Sequence, residues 1–144
     1  MGICENLEPK RVFFYFEEIC GIPHGSGNTK AISDYCVSFA KAHNLKWVQD
    51  ESNNIIIFKD GSKGYENSEP IIIQGHLDMV CEKESHVDID FEKDGLKLFI
   101  DGDFLRAQGT TLGGDDGIAV AYALALLEDG SLEHPPLEIV LTVD

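Results

Sequence analysis

Apolar residues recur at helical spacing twice near the start of the chain. Between Glu8 and Cys20 the residues Val12, Phe13, Phe16, Ile19 and Cys20 form one stripe, which Gly21 and Pro23 end. The stretch GIPHGSGNTK is rich in turn residues and reads as a loop, with Ser26 or Asn28 available to cap the helix that follows. That helix carries Ile32, Tyr35, Cys36, Phe39 and Ala40 on a single face. LKWVQDE and NIIIFKD then read as two strands joined through Ser52-Asn53, and GSKGYENSEP as a surface loop. PIIIQGH is a short continuous apolar run of the kind expected for a strand buried on both faces. LKLFIDGDFLRAQ alternates on either side of Asp101-Gly102, a hairpin signal. DDGIAVAYALALLEDG reads as a helix apolar nearly all round, with Gly130 as its C-terminal cap, and LEIVLTVD as a second buried strand. Helices alternate with strands, which predicts an α/β fold with a mixed, mostly parallel sheet flanked by helices.

Composition narrows the class. The chain has 144 residues, 43% hydrophobic and 26% charged, enough for one domain with its own core. The formal net charge of −15 argues against nucleic acid and against anionic membrane surfaces, both of which select clusters of Lys and Arg. No run approaches the roughly 18 apolar residues of a membrane span. The first residues lack the apolar segment of a secretory signal, and Asn6 breaks the myristoylation pattern. A cytoplasmic protein is expected. Cys4, Cys20, Cys36 and Cys81 are scattered without a C-x-x-C pair, which suggests reduced thiols.

Two short constellations carry candidate chemistry. The first is His76 with Asp78 at the end of the PIIIQGH strand. Ligands in open α/β sheets gather at the carboxyl ends of strands. Residues i and i+2 of an extended segment point the same way, so a histidine that binds zinc through one ring nitrogen can have its other N–H held by the nearby carboxylate. The second is GTTLGGDDGIAV, in which Asp115 and Asp116 open a buried helix behind Gly113 and Gly114. Each constellation also has a plain structural explanation: a chance pair at a strand end, and acidic residues meeting a helix N-terminus. Cys81 lies close enough to His76 to be a ligand, but packing explains it more simply. His24, in its Gly/Ser loop, reads as solvent-facing or part of a local turn, and His43, His86 and His134 as solvated. No nucleophilic serine motif and no phosphate-binding loop is present.

Taken together, GHLDMVCEK and QGTTLGGDDGIAVAYALALLEDGSLEHPPLEIVLTVD resemble the aminoacyl-histidine dipeptidases of the dinuclear-zinc exopeptidase superfamily. IPHGSGNTKAISDYC and WVQDESNNIIIFKD extend the resemblance over essentially the whole chain. It implies that residues 1–144 are the N-terminal part of a metallopeptidase catalytic domain. It implies zinc as cofactor, two ions per complete site, with cobalt or manganese as substitutes. His76 would bind one zinc, Asp115 would bridge both, and Asp78 would be the catalytic carboxylate that orients His76. The Asp115–Asp116 peptide bond would be cis. In that family a strand like LEIVLTVD runs into a Glu-Glu pair that supplies the general base and a zinc ligand. That pair, a further zinc-binding Asp, a distal His and an inserted lid domain lie beyond Asp144. The implied activity is hydrolysis of dipeptides, with a preference for Xaa-His, by a protein that acts on small peptides and forms a homodimer at full length; the alternatives are a weak metal-binding module and a tripeptidase or deacetylase of the same superfamily. By itself the 144-residue segment is expected to be inactive, to expose sheet edges and to self-associate.

Overall fold

The computed structural model describes residues 2–144. Three helices and six strands follow in the order α1 (Lys10–Cys20), α2 (Lys30–Ala42), β1 (Lys46–Gln49), β2 (Ile55–Lys59), β3 (Ile71–His76), β4 (Leu98–Asp101), β5 (Phe104–Ala107), α3 (Gly114–Glu128) and β6 (Leu137–Thr142). Four strands form a mixed sheet in the order β1-β2-β6-β3, and β4 with β5 forms a separate hairpin.

The expectation of a mostly parallel sheet is corrected. Only β3 and β6 run parallel, whereas β1–β2 and β2–β6 are antiparallel. Loop length is the physical reason. Residues 50–54 between β1 and β2 are too few for a crossover, so the chain can only turn back on itself. Asn53 makes that turn with φ 79°. The long excursion from β3 through the hairpin and α3 gives β6 the room to return parallel.

Strand register brings Trp47, Ile57, Ile139 and Ile73 side by side on one face of the sheet. These residues join one core with Val12, Phe16 and Ile19 of α1, Ile32, Cys36 and Ala40 of α2, and Val120, Leu124 and Leu127 of α3. α1 packs on α3, α3 on β3, and α2 on β1 and β2. The opposite face, which carries Val48 and Ile72, is open, with these two residues 52% and 63% exposed.

PIIIQGH is therefore not a strand buried on both faces. Among the described residues β3 is an edge strand, hydrogen-bonded only to β6, and Ile71 and Ile72 are both exposed. Capping also differs from expectation. Thr29, not Ser26 or Asn28, holds the N-cap position of α2 without a side-chain bond, and α3 ends at Asp129 rather than Gly130. All four cysteines are free, as expected, with Cys4, Cys20 and Cys36 buried. Among the described residues no helix is long and apolar enough to cross a membrane.

Candidate metal centre

Parallel pairing sets the carboxyl ends of β3 and β6 level, with His76 opposite Thr142. The N-terminus of α3 arrives at the same edge. Gly113 enters it in the left-handed region, at φ 74°, where a side chain would be strained. Asp115 and Asp116 depart from helical geometry, and the peptide bond between them is cis, as the resemblance implies.

Gly75 makes the contact between strand and helix close. A Cβ at that position would lie 3.0 Å from Asp116 Oδ2 and 3.5 Å from the Ala119 side chain. In its absence Asp116 Oδ2 accepts the backbone N–H of His76 at 3.2 Å. Asp116 is thereby pinned to β3, and its neighbour Asp115 is turned outward. Asp115 Oδ1 lies 3.0 Å from His76 Nε2, and the Asp115 side chain is 95% exposed. The other ring nitrogen of His76, Nδ1, lies 3.1 Å from Asp78 Oδ1 and 2.9 Å from the Asp78 carbonyl oxygen. Asp78 Oδ2 in turn accepts the hydroxyl proton of Ser26 at 2.5 Å.

Charge within this chain of contacts is mutually supporting. Burial lowers the His76 pKa, but the bond to Asp115 and the neighbouring Asp78 outweigh it and hold the imidazole above its usual value. Burial raises the Asp78 pKa, but the Ser26 hydroxyl and His76 outweigh it and hold that carboxyl below the usual range. The three expected site residues thus meet. An imidazole nitrogen and a carboxylate oxygen, both good zinc donors, converge with the imidazole oriented from behind. The donor types fit a divalent metal of the zinc class. Among the described residues no group of three His, Cys, Asp or Glu side chains is placed to hold one metal ion, because Asp78 faces the ring nitrogen of His76 opposite to Asp115, and a catalytic zinc usually takes three protein ligands plus water.

The remaining candidates fall outside the centre. Cys81 packs against the loop as expected. Its Sγ sits so close to Gly25 that a side chain there could not be accommodated without a shift. His24 is part of a local turn, as one of the two readings has it, and is not solvent-facing. It is 4% exposed, with Nδ1 2.6 Å from the Ile22 carbonyl oxygen, and its own carbonyl accepts the Met79 N–H at 2.9 Å. Burial lowers its pKa. His43 is half-buried rather than solvated, its ring centroid 4.2 Å from that of Phe39. His134 is also half-buried, with its backbone N–H on the Ser62 hydroxyl, while His86 is exposed as expected. Sequence reasoning missed Ser26 and Gly75. In the sequence Ser26 is one of two candidate helix caps, with Asn28, whereas its hydroxyl bonds Asp78, 52 residues away.

No protein-family model matches the chain. Over 143 residues it is 41% identical to the cytosol non-specific dipeptidase of Escherichia coli (strain K12), covering 99% of this chain and 30% of that protein. Its structure superposes on the aminoacylhistidine dipeptidase of Vibrio alginolyticus with a TM-score of 0.95 and 36% identity, covering 99% of this chain and 29% of the other. A tripeptidase from Staphylococcus aureus superposes with a TM-score of 0.73 at 20% identity, over 92% of this chain and 36% of that one, which shows a shared fold. The chain spans about 30% of the length of the two dipeptidases it matches.

Proposed function

We infer that this chain, which corresponds to an N-terminal portion of the catalytic domain of aminoacyl-histidine dipeptidases, supplies part of the metal site of a cytosolic peptide hydrolase. The observation that carries the reading is the convergence of His76 Nε2 on Asp115 Oδ1 at 3.0 Å, with Asp78 behind the ring. The metal proposed for this place is zinc, with cobalt or manganese as substitutes. When bound, such an ion supplies an activated water and Lewis acidity toward a peptide carbonyl. His76 contributes the lone pair of Nε2. Asp78 accepts the Nδ1 proton and so fixes the tautomer that leaves Nε2 free to bind. Asp115, exposed and held outward by its pinned neighbour Asp116, would hold metal through its carboxylate. The remaining metal ligands and the general base come from outside the described residues.

The substrate class proposed is the dipeptide, with Xaa-His favoured. Support comes from the two dipeptidases matched across this whole chain. The test is a panel of dipeptides, tripeptides and N-acyl amino acids, presented to the full-length protein with zinc. Dipeptides should be cleaved best, and those with C-terminal histidine best among them. His76→Ala and Asp115→Asn should each lower kcat/KM by at least about a hundredfold. Preference for N-acyl amino acids, or activity that survives His76→Ala, would overturn the reading. A second expectation concerns the segment alone. With two converging donors among its described residues, it should not turn over dipeptides even with added zinc, and turnover by the isolated segment would refute that.

A further inference from the structure

We propose that Ser26 is a positioning residue for the metal centre, acting through Asp78 on His76. The inference rests on the metal-site reading above.

Ser26 lies in a loop that does not need its hydroxyl in order to fold. Backbone bonds already sew that loop to the segment after β3. Met79 N–H donates to the His24 carbonyl at 2.9 Å, Ser26 N–H donates to the Met79 carbonyl at 3.1 Å, and Asn28 N–H donates to the Gly25 carbonyl at 2.8 Å. The hydroxyl is also not used for capping. Thr29 takes the N-cap position of α2, and no side chain bonds to the first turn. Ser26 lies ahead of that N-cap, outside the position from which a side chain caps a helix, and its hydroxyl bonds Asp78.

What the hydroxyl does is bind Asp78 Oδ2 at 2.5 Å, while Asp78 Oδ1 faces His76 Nδ1 at 3.1 Å. A carboxylate with two oxygens and two nearby donors could rotate about its side-chain torsions and exchange which oxygen faces the ring. The Ser26 hydroxyl, fixed on a backbone-anchored loop, removes that freedom by occupying one oxygen. The order Ser26, Asp78, His76, Asp115 is then one directed chain. It starts on the loop before α2, crosses the end of β3 and finishes at the N-terminus of α3. The same loop also reaches the end of β6, where Gly27 N–H donates to Asp144 Oδ1 at 2.8 Å. It therefore references the metal-binding histidine to both parallel strand ends.

Outer partners of metal ligands typically change metal affinity or activity tenfold to a hundredfold when removed. Ser26 acts one bond further out, so the effect should be at the lower end. Ser26 is exposed, which makes substitution compatible with folding. The test uses the full-length protein with Ser26→Ala, Ser26→Thr and His76→Ala. Zinc affinity is read by competition with a chromophoric chelator, and kcat and KM are read separately on a cleaved dipeptide. Ser26→Ala should weaken zinc binding about tenfold and lower kcat about tenfold with KM within about twofold. Ser26→Thr, which keeps the hydroxyl, should restore both to within about threefold. The proposal is overturned if Ser26→Ala binds zinc and turns over as the parent does, or if Ser26→Thr is as impaired as Ser26→Ala. His76→Ala separates this from the metal-site reading. If that substitution leaves zinc affinity unchanged, the reading of the centre fails, and the role of Ser26 fails with it. If it abolishes high-affinity binding while Ser26→Ala has no effect, only the role of Ser26 fails.

Discussion

β6 and β3 are parallel neighbours built from similar apolar sequences, LEIVLT and IIIQGH, yet they occupy opposite situations. β6 is paired on both sides, and Leu137, Ile139 and Leu141 are buried beneath the helices. β3 is paired on one side, exposes Ile71 and Ile72, and buries only Gly75 fully within the strand. The difference teaches that an apolar run sets the capacity of a strand to be buried, while topology decides whether that capacity is used. β6 spends its side chains on the core. β3 ends in a close contact with α3, because its missing side chain at Gly75 admits Asp116, whose carboxylate accepts the His76 N–H.

The largest effect expected from this contrast lies in β6. Ile139 is fully buried and registered between Ile57 and Ile73. Ile139→Ala should destabilise the fold by about 3–4 kcal/mol, from lost burial plus the cavity left behind. Urea unfolding of parent and variant measures it, and a loss under about 1 kcal/mol would mean that the sheet face is looser than its burial indicates.

Next comes the close contact on β3. Gly75→Ala would place a methyl group 3.0 Å from Asp116 Oδ2, so the carboxylate must move. A cost of about 1–2 kcal/mol is expected, of the size of other overpacked sites. On the proposed metal-site reading the variant should also lose zinc affinity, because the Asp116 carboxylate that bonds the His76 N–H lies beside Asp115. Stability loss with unchanged zinc affinity would separate packing from metal binding at this position.

How much of this was legible in the sequence follows the same division. The helices and the hairpin follow from local periodicity, because each buries a face that its own residues define; LEIVLT reads as a buried strand, and the structure shows that it fully buries one face, through Leu137, Ile139 and Leu141. An open sheet edge is expected, but that β3 forms it is not legible, because a strand's neighbours are chosen by the rest of the chain. Its parallel partner is separated from it by a hairpin and a helix. His76, Asp78 and Asp115 could be picked out because motifs place them where elements end. That His76 meets Asp115 across 39 residues came from the resemblance and not from periodicity. Ser26 escaped because serine before a helix has a common local use, and only the three-dimensional path of the loop shows that its hydroxyl is aimed elsewhere.

A smaller effect belongs to the helical layer that covers the β6 side. Glu128 at the end of α3 accepts two hydrogen bonds from Arg11, at 2.7 and 2.8 Å, and one from the Tyr15 hydroxyl at 2.7 Å, which ties α3 to α1. The Arg11 bonds lead in lowering its pKa below the usual glutamate range, against the opposing effect of burial. A lowered folded-state value means the stabilisation is fully present above the unfolded-state pKa and is lost as pH falls through the folded one. Glu128→Gln should therefore cost about 1 kcal/mol near neutrality, and the gap to the parent should close in acid, below the ordinary glutamate pKa. A gap that stays constant from pH 7 to pH 3 would show that the side chain acts through shape alone.

The smallest effect tests the contrast most directly. Ile72, 63% exposed on the open face of β3, has little burial to lose. Ile72→Ala should change stability by less than about 0.5 kcal/mol, the usual range for surface positions, an order of magnitude below Ile139→Ala. An exposed apolar edge strand is also a template for pairing with another chain. Ile72→Lys should then be tolerated, and it should reduce any concentration-dependent association seen by sedimentation. If Ile72→Ala instead costs 2 kcal/mol or more, the loss should grow with protein concentration, because the open face would be buried against a second copy. A large loss independent of concentration would contradict the exposed position of β3 itself, and with it the distinction between a strand buried in the core and a strand left open at the edge of the sheet.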